Sequence, residues 1–162
     1  MGSKTEWPTE RLLVRRFRPD DFDAFHELHG DADANPTKPL EWHAVERKSD
    51  GAVIGVCWLG KLGAPWEKSL GRGHVELGYR YARRFWGNGY ATEAARGMLR
   101  RGFEELELAQ VMAIVDAANA ASERILQKVG MKYNKTFEQE GMTINFYTLN
   151  AETWASTCSS TK

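Results

Sequence analysis

The spacing of apolar residues changes period several times along the chain. Residues 12–17 alternate well enough to form a strand. Arg18-Pro19-Asp20-Asp21 then opens a helix, with Pro and acidic residues in its first turn. Phe22, Phe25 and Leu28 recur at helical spacing until Gly30. Residues 31–39 carry Pro36 and Pro39 among polar neighbours and read as a loop. Residues 42–45 form a short strand, Ser49-Asp50-Gly51 a hairpin turn and residues 52–59 a buried strand. Residues 60–73, rich in glycine and holding Pro65, read as a loop, and 74–81 as a further strand. Ala91, Ala94, Ala95, Met98, Leu99, Phe103 and Leu106 then make an apolar stripe of helical period. Residues 111–115 are a short buried strand. Asn119 caps a helix with Ile125, Leu126 and Val129 on its inner face and Gly130 at its end. Residues 132–137 and 143–149 close as two strands around Glu140-Gly141.

This order is a mixed α/β layer with much antiparallel pairing at its start. It lacks the regular alternation of a doubly wound dinucleotide fold, and the chain has no internal repeat or low-complexity run. At 162 residues it fits one domain, spanning 10–153, with 1–9 as an N-terminal extension and 154–162 as a flexible tail.

The chemistry concentrates where the strand at 74–81 gives way to the helix beginning near Ala91. There the chain reads Arg84-Phe85-Trp86-Gly87-Asn88-Gly89. Glycine reaches backbone angles closed to other residues and lets a ligand touch the main chain. The first N–H groups of a helix lack internal partners and carry partial positive charge. A glycine-bearing turn that opens a helix is therefore a phosphate cradle in outline. Taken alone, the two glycines equally suit a strand that simply turns into a helix.

Bulk properties narrow the classes. A formal net charge of zero argues against a dedicated nucleic-acid binder. Two cysteines, Cys57 and Cys158, make no disulfide framework. No apolar run is long enough for a membrane span and the first residues lack a signal region, so a reduced, cytoplasmic protein is expected. His26, His29, His43 and His74 show no metal-ligand spacing, and no metal site is expected. A plain nucleotide-binding domain fits poorly, because no Lys-Ser/Thr follows the glycines and no Gly-x-Gly-x-x-Gly is present.

With these residues in hand, the chain resembles the Gcn5-related N-acetyltransferase (GNAT) superfamily. Arg84-x-x-Gly87-x-Gly89 matches its acetyl-CoA pyrophosphate signature, Gln/Arg-x-x-Gly-x-Gly/Ala. The longer run from Trp86 through Tyr90 and Ala91 to Ala94 is similar to the branch that acetylates ribosomal-protein N-termini. So are Asn119-x-x-Ser122 and Leu126-x-Lys128-x-Gly130-Met131. The resemblance covers roughly residues 10–150 and implies a mixed, mostly antiparallel sheet flanked by helices. One departure stands out. The family usually places two helices between its first two strands, whereas a single helix and the shortened segment 31–39 are readable here. That implies a more open wall on the acceptor side.

The resemblance further implies acetyl-CoA as acyl donor and a primary amine as acceptor: a protein N-terminus, an aminoglycoside-like antibiotic, a polyamine or an amino-acid-like metabolite. Transfer would be direct, since neither cysteine lies in a motif. Homodimers are common in the family. The alternative is an acyl-CoA-sensing domain that has lost catalysis.

Residue roles follow with their plainer readings beside them. Main-chain N–H groups from Trp86 to Ala91 would ring the pyrophosphate. Either the Arg84 side chain meets a phosphate, or only its backbone matters and its guanidinium is solvated; the resemblance implies the backbone role. The donor's pantetheine arm would lie along the strand at Leu77, Gly78 and Tyr79, with an N–H near Leu77 or Gly78 facing the developing oxyanion. Gly78 equally suits a bulge or a bulky neighbour. Glu76 is the candidate base, and strand alternation also explains an exposed Glu there. An unperturbed glutamate titrates at about 4.3, so a base role needs a raised pKa or a water relay. Many GNAT enzymes protonate the thiolate with a Tyr four residues after the position of Ser122. Leu126 stands there, leaving Ser122 as the candidate, with Tyr133 and Tyr147 behind it. Asn119 can cap its helix and hold the donor through its amide. Trp66 and His74 are candidates for the site's edge.

Overall fold

A computed structural model describes residues 4–29 and 42–159 of the chain. The segment expected as a shortened loop, 31–39, and Gly30 lie outside the described residues, as do the last three positions of the chain. The described residues form one eight-stranded sheet in the order β1-β2-β3-β4-β5-β6-β8-β7. Its strands are β1 (Glu6–Pro8), β2 (Leu12–Arg15), β3 (Trp42–Arg47), β4 (Val53–Lys61), β5 (Val75–Tyr81), β6 (Gln110–Asp116), β7 (Lys132–Gln139) and β8 (Met142–Asn150). The helices are α1 (Phe22–His29), α2 (Ala64–Leu70), α3 (Tyr90–Arg100), α4 (Ala120–Lys128) and α5 (Ala151–Ser159). Every neighbouring pair is antiparallel except β5 and β6. The mixed, mostly antiparallel sheet flanked by helices is the class that the resemblance implied.

Three elements differ from the sequence reading. Within the stretch expected as an extension, β1 pairs with β2 and buries Trp7, whose indole N–H donates to Glu105 at 2.9 Å. Three residues ending in proline carry too little alternation to announce a strand. Within 60–73, α2 begins at Ala64 with Pro65 in its first turn and stops at Gly71, where φ is +88°. The glycines there terminate a short helix rather than make the whole segment a loop. Where a loose end was expected, α5 follows β8 directly. Asn150 Oδ1 accepts from Thr153 N–H at 2.9 Å, and Trp154 stacks on Phe103 at 5.6 Å. In the apolar stripe, Leu106 is exposed, because residues 101–105 continue α3 as a π-helix and shift the phase.

Side chains alternate between the two faces of a strand. On β5 the Tyr79 hydroxyl reaches Ser122 of α4, and Arg80 reaches the Leu28 carbonyl of α1 at 3.4 Å. Thus α4 and α1 cover opposite faces. The start of α1 is anchored by a buried fork. Arg15 donates to both Asp21 oxygens, at 2.7 and 2.9 Å, and to Glu46 at 2.6 Å. That pairing holds the Asp21 carboxyl below its ordinary value, with burial opposing it.

The feature that positions the site is the junction of β5 and β6. These parallel strands are registered at one pair, Glu76 opposite Met112. Beyond it they splay, while the other edge of β5 stays fully paired with β4 from Lys61 to Gly55. The main chain of β5 after Glu76 therefore has polar groups that β6 does not satisfy.

Candidate active site

The splay opens a cavity of about 200 Å³ lined on the β5 side by Trp58, Glu76, Leu77, Gly78 and Tyr79. Asp116 of β6 and Asn119, Ser122 and Leu126 at the head of α4 line the other side. Because the cavity lies between two strands, residues from both faces of β5 reach it.

On the α4 side, two hydroxyls meet. Tyr79 Oη lies 2.9 Å from Ser122 Oγ and donates to the Ser122 carbonyl at 3.2 Å. Burial pushes the Tyr79 phenol up to about 12, with the Ser122 hydrogen bond pulling the other way. It is a neutral hydroxyl throughout the working pH range. Asn119 caps α4, its Oδ1 accepting from Ser122 N–H at 3.1 Å. The cap uses the amide oxygen, and the NH₂ end remains suited to a ligand in the cavity. Leu126 is buried.

Across the strand, Glu76 is partly buried, and the desolvation of its carboxylate raises its pKa to about 7. A hydrogen bond from Trp58 Nε1–H at 3.3 Å opposes the rise. Gly78 meets its bulky-neighbour reading: a Cβ there would fall 2.1 Å from Cε2 and Cζ2 of the Trp58 indole. Trp58 in turn stacks on Trp42, with centroids 4.9 Å apart and planes at 20°.

After β5 a 3₁₀ turn, Arg83–Phe85, leads into the glycine turn. Gly87 and Gly89 both adopt positive φ, +78° and +77°, and Gly89 is the N-cap of α3. Glu93 N–H bonds the Gly89 carbonyl at 3.1 Å and closes the first helical turn. The N–H groups of Tyr90, Ala91 and Thr92 precede that closure. A Cβ built on Gly87 would meet nothing within 4 Å, so the turn is open on its outer side. Trp86 departs from its expected place in the ring of donors, because its N–H already bonds the Arg83 carbonyl at 3.1 Å. Asn88 Nδ2 braces the turn through the Phe85 and Trp86 carbonyls, both at 3.1 Å. The Arg84 guanidinium is neither solvated alone nor turned inward: it forks onto Glu27 of α1.

The turn between β1 and β2 fixes the glycine turn from outside. Arg11 Nη1 donates to the Asn88 carbonyl at 2.9 Å, and its Nε and main-chain N–H both reach Glu93 at 2.7 Å. Burial alone would raise the Glu93 carboxyl, but hydrogen bonds from Thr9 and Arg11 bring it below its ordinary value.

Several candidates fall elsewhere. Tyr147 donates to Glu123 at 3.0 Å, and Tyr133 pairs with Thr136 at 2.8 Å; neither lines the cavity. Trp66 packs edge-on to Phe137, and His74 is engaged by the Leu70 carbonyl at 2.8 Å. Trp58 and the Tyr79 phenol were not singled out for chemistry by the sequence reading. The glycine opposite Trp58 was the one available signal. Among the described residues no His, Cys, Asp and Glu cluster could hold a metal, and no helix is long and apolar enough to cross a membrane.

Known proteins share this fold. The family model described as "Acetyltransferase (GNAT) domain" matches residues 32–132. The uncharacterized protein YkkB of Bacillus subtilis is 31% identical over 166 residues, covering 91% of this chain and 96% of its own. A GNAT-family acetyltransferase structure from Bacillus anthracis superposes with a TM-score of 0.76 at 23% identity, covering 91% of this chain and 99% of that one. The ribosomal-protein-S5-alanine acetyltransferase of Vibrio fischeri shares the fold with a TM-score of 0.71 at 13% identity, over 93% of this chain and 99% of its own. The chain belongs to the GNAT acetyltransferase family.

Proposed function

We propose that the protein transfers an acetyl group from acetyl-CoA directly to a primary amine, with Glu76 as base. The observation that carries this reading is the single registered pair between β5 and β6. It frees the β5 main chain beside a carboxyl of pKa about 7 and just before an open glycine turn. These residues suit the donor. Gly87, Asn88, Gly89, Tyr90 and Ala91 would hold its pyrophosphate, and the freed edge at Leu77, Gly78 and Tyr79 its amide-bearing arm. Bound there, acetyl-CoA supplies the activated acyl group.

The chain's own groups do the rest. Glu76 accepts the proton that the acceptor ammonium must lose before its nitrogen attacks the thioester carbon. Main-chain N–H groups near Leu77 and Gly78 face the oxygen that gains charge. As the C–S bond breaks, Ser122 Oγ–H passes its proton to the thiolate while taking one from Tyr79 Oη–H, which solvent then restores. Tyr79 backs it and supplies from β5 the hydroxyl that position 126 lacks. A carboxyl titrating near 7 is half ionised there, so kcat/KM rises with pH through that region.

The test is thiol release over an amine panel that includes N-terminal peptides, polyamines and aminoglycosides. Glu76→Gln should cut turnover about 10²–10⁴-fold while CoA still raises the melting temperature. Full turnover in that variant removes Glu76 from the mechanism. CoA binding by the wild type without turnover on any amine would instead favour an acyl-CoA-sensing domain, the reading that the buried Leu126 supports.

A further inference from the structure

Among the described residues, the Glu76 carboxylate receives one side-chain hydrogen bond, from Trp58 Nε1–H at 3.3 Å, and no ion pair. The path of that indole is unusual. The β4–β5 register places Trp58 directly opposite Gly78. The ring leaves its own strand, crosses the bare Gly78 backbone and ends beside residue 76. Any side chain at 78 would collide with it, since a Cβ would lie 2.1 Å from two ring carbons. On its far face the ring is stacked on Trp42 at 4.9 Å. The indole is confined between a backbone and a second indole, and as it lies there its only polar atom meets Glu76.

We propose that Trp58 is a positioning residue for Glu76: its indole N–H holds the carboxylate at the cavity, and the bare Gly78 is what lets the ring reach it. The inference rests on the reading of Glu76 as base. A tryptophan that merely filled space here could be replaced by phenylalanine without moving the titration of Glu76. A positioning indole could not, because its N–H favours the ionised carboxylate.

Other charged groups near Glu76 have different engagements. Just before its strand, His74 turns to the Leu70 carbonyl, and on the strand Arg80 turns to the Leu28 carbonyl of α1. From α1, Glu27 pairs with Arg84, and from α2, Glu67 faces Arg72 at 3.6 Å. Lys61 at the end of β4 is exposed, and Asp116 of β6 accepts from Ala118 N–H at 2.8 Å. The indole is thus the protein's direct hold on this carboxyl.

The experiment is the pH dependence of kcat/KM in Trp58→Phe. The acidic limb should move to higher pH by about one pH unit, the value of one hydrogen bond to a charged group. Activity near pH 6.5 should fall about tenfold with CoA affinity unchanged. An acidic limb identical to wild type overturns the proposal. A second measurement needs no Trp58 variant. Of the six tryptophan indole N–H resonances of the wild-type chain, one should titrate with a midpoint near 7, and Glu76→Gln should abolish that titration. Six resonances that stay flat from about pH 5 to 9 overturn it equally. Failure of the base reading looks different: Glu76→Gln would keep its turnover while the wild-type indole still titrates.

Discussion

Glu76 and Tyr79 stand three residues apart on β5 and so project from opposite faces of one strand into one cavity. Burial raises both. It carries the carboxyl to about 7 and the phenol to about 12. The same physical cause has opposite chemical results. The glutamate is brought into the range where a base can cycle, and the tyrosine is taken out of it and kept a neutral hydroxyl. One strand thus offers a titrating face toward α1 and a non-titrating face toward α4. The two faces are also held differently. The α4 face rests on a cap and a hydroxyl pair, the α1 face on Trp58 and on the buried Arg15–Asp21 fork at the root of α1.

The sharpest way to break the comparison is at Glu76 itself, where the glutamine variant should lose about two to four orders of magnitude in turnover. Its counterpart on the non-titrating face should never cost as much. Next in size is the anchorage of α1. Asp21→Asn leaves Arg15, whose side chain is 4% exposed, without its fork, at a cost of about 3 kcal/mol. Because the Asp21 carboxyl is depressed when folded, its contribution is present above the unfolded pKa of about 3.9 and is lost as pH falls through the lower folded value. Urea melts of wild type and variant should therefore differ most at neutral pH and converge in acid. A gap that persists unchanged at low pH would locate the effect in packing instead of charge.

The cradle comes third. Gly89 has φ +77°, and a Cβ there would make ordinary contact at 3.5 Å with Arg11 Nη2. Space is available, so Gly89→Ala tests backbone conformation alone. The left-handed angle costs about 1–2 kcal/mol for a residue with a side chain. Relaxation of the turn should weaken CoA binding about tenfold by calorimetry. Unchanged affinity would mean that these N–H groups do not hold the pyrophosphate.

Much of this was legible in sequence where the signal is local. The glycine turn, the Asn119 cap and the alternation of β5 each depend on a few adjacent residues, and each stands where its pattern implied. What escaped depends on register. Trp58 and Gly78 are twenty positions apart, and nothing in either strand announces that they are opposed. Gly78 suggested room for the donor's arm or for a bulky neighbour, without naming that neighbour. Tyr79 was placed on the donor strand for its main chain, and its phenol gained meaning when α4 brought Ser122 to it. The short elements were lost for a different reason. Residues 6–8 and 64–70 are stabilised by tertiary docking, Trp7 onto Glu105 and Trp66 onto Phe137, rather than by a period long enough to read.

The smallest effect belongs to the tyrosine face and tests whether the asymmetry of β5 is chemical or only geometric. Tyr79→Phe removes one hydroxyl from a partly buried pair and leaves Ser122 Oγ at the cavity. The lost hydrogen bond is worth about 0.5–1.5 kcal/mol, which allows a fall of roughly two- to twelvefold in kcat. If Tyr79 supports Ser122 in protonating the thiolate, the loss should be greatest with poorly acidic thiol leaving groups and should shrink for acyl donors with more acidic thiols. The pH profile should keep its acidic limb, since Glu76 lies on the other face. It should keep its basic limb as well, since a phenol pushed to about 12 does not titrate in the working range. A Tyr79→Phe variant that displaces either limb would show that the two faces are electrostatically coupled through the cavity, and the division of labour along β5 would have to be abandoned.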